Sequence, residues 1–459
     1  MEGAAVSADL ARARAQLTDF DVATRRQALD ALASAREQGL LPRAAARDVV
    51  NMHCHTFYSY NGYGHSPSSL AWLAAEEGWR GMATVDFDVL DGVKETLTAC
   101  DRVAVRGTAG LETRTFLAEF ARWEINSPGE PGVCYHVGLG FTSAEAPRSA
   151  ARVLRGMRQG AEQRNREMVA RINAHLQPVT VDYDLDVLPL TPAGNATERH
   201  ILVAYDAAAR RVHPGRAQLV GFWAGKLGLA ESAVDASLTP EPNPNDLIRT
   251  RLMKRGGVGY ARPNEGTFPS LDEVVRAISA CGAVPVCAWL DGASEGEQHM
   301  GELLSLMVAK GVVALSIIPD RNWNHADPAV RESKVRELYA VMDLARAHHL
   351  PVIVGTEMNK AGQPIVDDFE SDALRPLVAE FLYGADWIYG HTVLQRALGR
   401  GYGSPWAARH LPGRGERNAF YAAVGAAATP GPDLCARLAT LGRVNAPEVL
   451  LERLAGLSA

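Results

Sequence analysis

Two histidines with one residue between them, His53 and His55, stand in the run NMHCHTFYSYNGYGH at residues 51–65. The apolar pair Val49 and Val50 precedes them and reads as the start of a β-strand. Side chains alternate faces along a strand, so both imidazoles project to one side and Cys54 to the other. Two neutral imidazoles on one face can grip a single metal ion. The competing reading is a strand end with two surface histidines. What decides between them is whether other strands bring acids and histidines to the same end.

The surrounding pattern does so. From Asp48 onward, strand and helix alternate. Ser66-Pro67 supplies an N-cap and a proline at the first helical position, and the helix SLAWLAAEEG stops at Gly78. GMATVDFD reads as a buried strand ending in Asp86 and Asp88. The helix VKETLTACDRV follows, then TAGLE ending in Glu112, then GVCYHVGLGF carrying His136. Further on, Ser270 and Glu273 form a capping box for EVVRAISACG. The strands AVPVCAWL, GVVALSII and LPVIVGTEMN end near Trp289 and Asp291, Asp320, and Glu357 and Asn359. That makes seven strands, and alternation with helices predicts parallel strands joined by right-handed crossovers. In a closed parallel barrel the strand C-termini share one face, where active sites sit. Polar strand caps and helix N-caps would each account for Asp86, Asp88 or Asp291 taken singly.

The 459 residues are 47% hydrophobic and 22% charged, as in an ordinary globular protein, and the net charge is −6. This balance excludes a general nucleic-acid or membrane-surface binder. Six cysteines without a CxxC pair read as reduced, buried thiols of a cytoplasmic protein. Asp9, Arg12, Arg14 and Asp19 interrupt the Ala-rich start and argue against a signal peptide, and no run has the length of a membrane span. Residues 1–47 read as a helical extension and 48–400 as the barrel. Residues 145–255 read as a helical insertion, which opens with a charged helix at 151–176 and includes a Pro/Asn-rich loop at 238–246. Residues 401–459 read as a helical C-terminal region.

The ordered set HCHT, SPSSLAWLAAEEG, TVDFD, GLE and YHVG resembles the polymerase and histidinol phosphatase (PHP) family. That family's pattern is HxHT, a helix, TDHD, GxE and a further His. The resemblance continues through RHILVAY, KRGGVGYARPNEGTFPSLDEVVRAISACGAVPVCAW and GTEMN, and covers residues 48–370. It implies a distorted (β/α)7 TIM-like barrel and a cluster of up to three divalent metals that hydrolyses phosphate esters. His53 and His55 match the HxH ligands, Glu112 the bridging glutamate and His136 the histidine of the fourth strand. Glu357 stands where the family has an aspartate. Phe87, Trp289 and Asn359 replace three of the family's histidines, and Asn61 and His65 are candidates for a fourth.

The resemblance therefore implies one well-formed site at His53, His55, Glu112 and Glu357. Glu112 and His136 remain for a second, weaker one, and none is left for a third. Zn, Mn or Fe would suit such ligands. The expected activity is that of a metal-dependent phosphoesterase acting on a small anionic metabolite. Asp86 or His136 would accept a proton, and Arg199, His200, Arg262 and Lys360 would lie near the anionic group. Two alternatives stay open. One is a one-metal hydrolase, lyase or isomerase of a non-phosphate substrate. The other is a non-catalytic binding protein whose pocket Phe87 and Trp289 have turned apolar. The oligomeric state is left open.

Overall fold

A computed structural model of the protein describes residues 2–238, 246–264 and 266–458. Its seven strands form one sheet with neighbours in chain order: β1 (Arg47–Cys54), β2 (Trp79–Phe87), β3 (Arg106–Phe116), β4 (Val133–Leu139), β5 (Val284–Trp289), β6 (Ala314–Ile317) and β7 (Val352–Val354). The sheet nearly closes on itself. The His55 amide donates to the Glu357 carbonyl at 2.7 Å, and the Glu357 amide donates to the His53 carbonyl at 2.8 Å. These bonds join the end of β1 to the chain just beyond β7. Gly355 permits the approach. A Cβ there would lie 2.5 Å from His53 Cβ and 2.6 Å from Asn51 Oδ1, and would also strike the His53 amide nitrogen.

The expectation of uniformly parallel strands fails at β4, which runs antiparallel to both β3 and β5. The physical reason lies in the connection. A parallel return needs a crossover, usually a helix. Between β3 and β4 the described chain holds only the 3-10 turn Ala118–Phe120. The chain therefore starts back from the end it has just reached, with Val133 opposite Phe116.

The helix Val378–Leu398 is apolar around most of its circumference and largely buried, as an enclosed helix must be. It crosses the end of the barrel opposite His53. Its Asp386 binds Arg80, near the start of β2, at 2.6 Å and its Thr392 hydroxyl meets Thr108, near the start of β3, at 2.6 Å. Its His391 lies 3.3 Å from the carbonyl of Gly140, just past the end of the reversed β4. The local helix signals hold. Ser66 caps Pro67–Glu77, Gly78 ends that helix at φ 73°, and Ser270 and Glu273 form the capping box. The N-terminal helix Val22–Glu37 is pinned by Arg25, which is fully buried and forms a two-nitrogen ion pair with Glu95.

Arg155–Phe268, with Phe57–Tyr60, makes a second compact unit. It is helical and has its own core, in which Ile172, Leu202, Tyr205, Trp223 and Leu252 are buried. Apart from its two end residues, the 238–246 stretch read as a loop lies outside the described residues. Among the described residues, no helix is long and apolar enough to cross a membrane.

Candidate metal centre

β1 and the residue after it present His53 and His55, and β3 presents Glu112. The ligand atoms of the three lie within 4.8 Å of one another, and all three residues are buried. Glu112 Oε2 is 3.6 Å from His53 Nε2 and 3.2 Å from His55 Nε2. Around a tetrahedral ion with bonds of about 2.1 Å, ligand atoms sit about 3.4 Å apart, so both separations suit one ion. His53 Nδ1 lies 3.2 Å from the Ser316 hydroxyl on β6, which orients the ring. His53 Nε2 is buried and makes no hydrogen bond. An unmet buried polar atom costs about 1–3 kcal/mol, a cost that a bound cation would remove. Phe87 stacks on His55 with ring centroids 4.2 Å apart and so packs one of the clustered imidazoles.

The three side chains are electrostatically coupled. Burial by itself would raise the pKa of Glu112, but His53 and His55 outweigh it and hold the carboxyl down at about 2. Burial opposes charge on His55, yet Glu112, Asp86 and Glu357 together raise its pKa above the ordinary value. Two histidines and one carboxylate form a three-residue donor set of a kind that binds divalent metals.

Among the described residues, Glu357, His136, Asp86, Arg199 and His200 are not part of the clustered group. Glu357 is near but stands outside the group. Its two carboxylate oxygens take Arg321 Nη2 at 3.0 and 2.9 Å, and one also takes Asn359 and Gln363 at 3.2 Å each. Burial would raise its pKa, but Arg321 foremost brings it below the ordinary value. Glu357 and Met358 both lie in the left-handed region, at φ 62° and 57°, in the turn that closes the barrel.

His136 does not join Glu112. Directly opposed residues in an antiparallel pair share a face, and His136 opposes Thr113 while Val137 opposes Glu112. Gly138, on the same side as His136, abuts Ile278 of the outer helix Leu271–Ala280. His136 is thus a buried outer-face histidine, and burial pushes its pKa down to about 3. Trp289 lies on the same outer face, since Ala288 pairs with the inward Ser316.

Asp86 pairs by register with Leu111, whereas Phe87 pairs with Glu112. Its carboxylate accepts from the Thr56 amide at 2.8 Å and the Thr56 hydroxyl at 2.7 Å, which secures the turn after His55. Arg199 and His200 belong to the second unit. There Arg199 binds Asp246 at 3.2 Å, while His200 accepts from the Thr197 amide in a helix cap and has its pKa lowered by burial to about 3.

Asn61 organises a turn, donating to the His55 carbonyl at 2.8 Å, and His65 meets the Ser69 hydroxyl. Asp291 pairs with Lys334. Sequence reading missed Ser316 and Arg321. Ser316 is the lone polar residue in GVVALSII, and Arg321 follows Asp320, which had drawn the attention.

No protein-family profile matches the chain, and no curated protein matches it. Among solved structures, the chain is similar to an amidohydrolase from Chromobacterium violaceum. The identity is 18%, over 72% of this chain and 96% of that chain, with a TM-score of 0.44. It is also similar to a candidate metal-dependent phosphoesterase from Bifidobacterium adolescentis, with 20% identity, the same coverage and a TM-score of 0.45.

Proposed function

We propose that the protein is a metal-dependent hydrolase with one divalent ion held by His53, His55 and Glu112, acting on a small phosphorylated metabolite. The observation that carries this reading is the buried His-His-Glu group, with His53 Nε2 lacking a hydrogen bond. A divalent ion bound there would acidify a water and polarise the scissile group. The chain's own residues prepare for this. Ser316 aims His53 and Phe87 steadies His55.

One observation favours a second reading. With Glu357 held by Arg321, a single three-ligand site remains, and a single Lewis acid also suits hydrolysis of a C–N or lactone bond. The test is metal content by elemental mass spectrometry, beside panels of phosphoesters and of amides and lactones. We expect about one equivalent of metal, lost in His53→Ala, and turnover on the phosphoester panel. Turnover on amides or lactones alone would move the assignment to the second reading. Metal without turnover on either panel would point to a binding protein.

A further inference from the structure

We propose that Arg321 is the second cation of this site: it occupies Glu357 and so limits the centre to one metal ion. The inference rests on the metal-binding reading of His53, His55 and Glu112. An ionised carboxylate offers about four lone-pair positions. Glu357 meets four donor contacts, two from Arg321 Nη2 and one each from Asn359 and Gln363. Three of these contacts fall on Oε2 and one on Oε1, and Arg321 is the partner that holds both oxygens, while the carboxylate's charge also acts on His55.

Three carboxylates act electrostatically on Arg321, namely Glu357, Asp291 and Glu112. Lys334 neutralises Asp291 at 2.5 Å, so Arg321 is the counter-charge available to Glu357. Without it, a carboxylate only 7% exposed would stand next to Glu112 with two amide side chains as its remaining partners. Such an arrangement of oxygen donors attracts a divalent cation.

Arg321 is also placed to be more than a clamp. Its Nε is buried and makes no hydrogen bond, while 38% of its side chain is exposed. A fixed guanidinium that is open to solvent suits an anionic group of the substrate, phosphoryl or carboxyl.

The experiment compares wild type, Arg321→Met, Arg321→Gln and Arg321→Lys, each loaded with Mn2+ and dialysed, by elemental mass spectrometry and calorimetric titration. Circular dichroism checks the fold of each. We expect one equivalent in wild type and in Arg321→Lys, and two in Arg321→Met and Arg321→Gln. Adding Glu357→Gln to either neutral variant should return the count to one. One equivalent at unchanged affinity in a folded neutral variant would overturn the inference while leaving the metal centre standing. No Mn2+ in wild type would remove the metal-binding reading and this inference with it.

Discussion

The three proposed ligands depend on supports that a motif does not contain. His53 could turn either ring nitrogen to an ion, and the Ser316 hydroxyl at 3.2 Å from Nδ1 settles the choice for Nε2. Partners of this kind are worth about 10–100-fold in metal affinity. Ser316→Ala should therefore weaken Mn2+ binding by about 10-fold or more in a calorimetric titration, with the fold intact. An unchanged Kd would mean that strand packing alone sets the ring. Phe87 and Asn359 add further supports. Phe87 packs on His55, and Asn359 donates to Glu357. Both residues were visible in the sequence, but their roles were not, because each depends on a partner brought by another segment. His53 and His55 were legible because strand alternation is a property of adjacent residues. The engagement of Glu357 was not legible because Arg321, which binds it, enters from the short helix Asp320–Trp323.

At the scale of elements, the barrel seam is the most exacting feature. β1 and the chain after β7 meet through His53, His55 and Glu357 backbone groups, so closure and metal site share residues. The close approach at Gly355 leaves no room for a methyl group. Gly355→Ala should cost about 2–3 kcal/mol in urea unfolding, as overpacking does, and should lower metal occupancy in the same protein. Normal stability and occupancy would show that the seam can relax. The register of β4 has the larger effect on the site. It sets Val137 opposite Glu112 and His136 opposite Thr113, which is why His136 faces the outer helices. The direction of a strand is set by the length and content of its connection, and the β3–β4 segment carries no strong helical period to warn of it, or to build a crossover.

Over the whole molecule, buried titratable groups set the pH response. Burial depresses His136 to about 3 against an ordinary 6.5. Between these values the unfolded chain binds a proton that the folded chain refuses, so this group makes stability rise with pH across that window. At pH 5 the penalty is about 2 kcal/mol, from about 1.4 kcal/mol for each unit below 6.5. Above pH 6.5 it vanishes. Glu297 and Asp367 act in the opposite sense, since burial pushes both up to about 7. Comparing His136→Leu with wild type isolates the histidine. The variant should lose about 2 kcal/mol less than wild type between pH 7 and pH 5 in urea titrations, with its metal content unchanged. Loss of metal in His136→Leu would return His136 to the ligand set.

The sequence by itself determined the number of strands, the helix caps and the common face of His53 and His55. Each of these follows from neighbouring residues: an apolar run, a cap three residues from its partner, or alternation along one strand. Three decisions belonged to the tertiary structure. The reversal of β4 followed from a connection without a crossover helix. The inward or outward aim of His136, Asp86 and Trp289 followed from register, where a slip of one residue exchanges the two faces. The pairing of Arg321 with Glu357 joined residues 36 positions apart along the chain, and only the fold could bring that cation to that carboxylate.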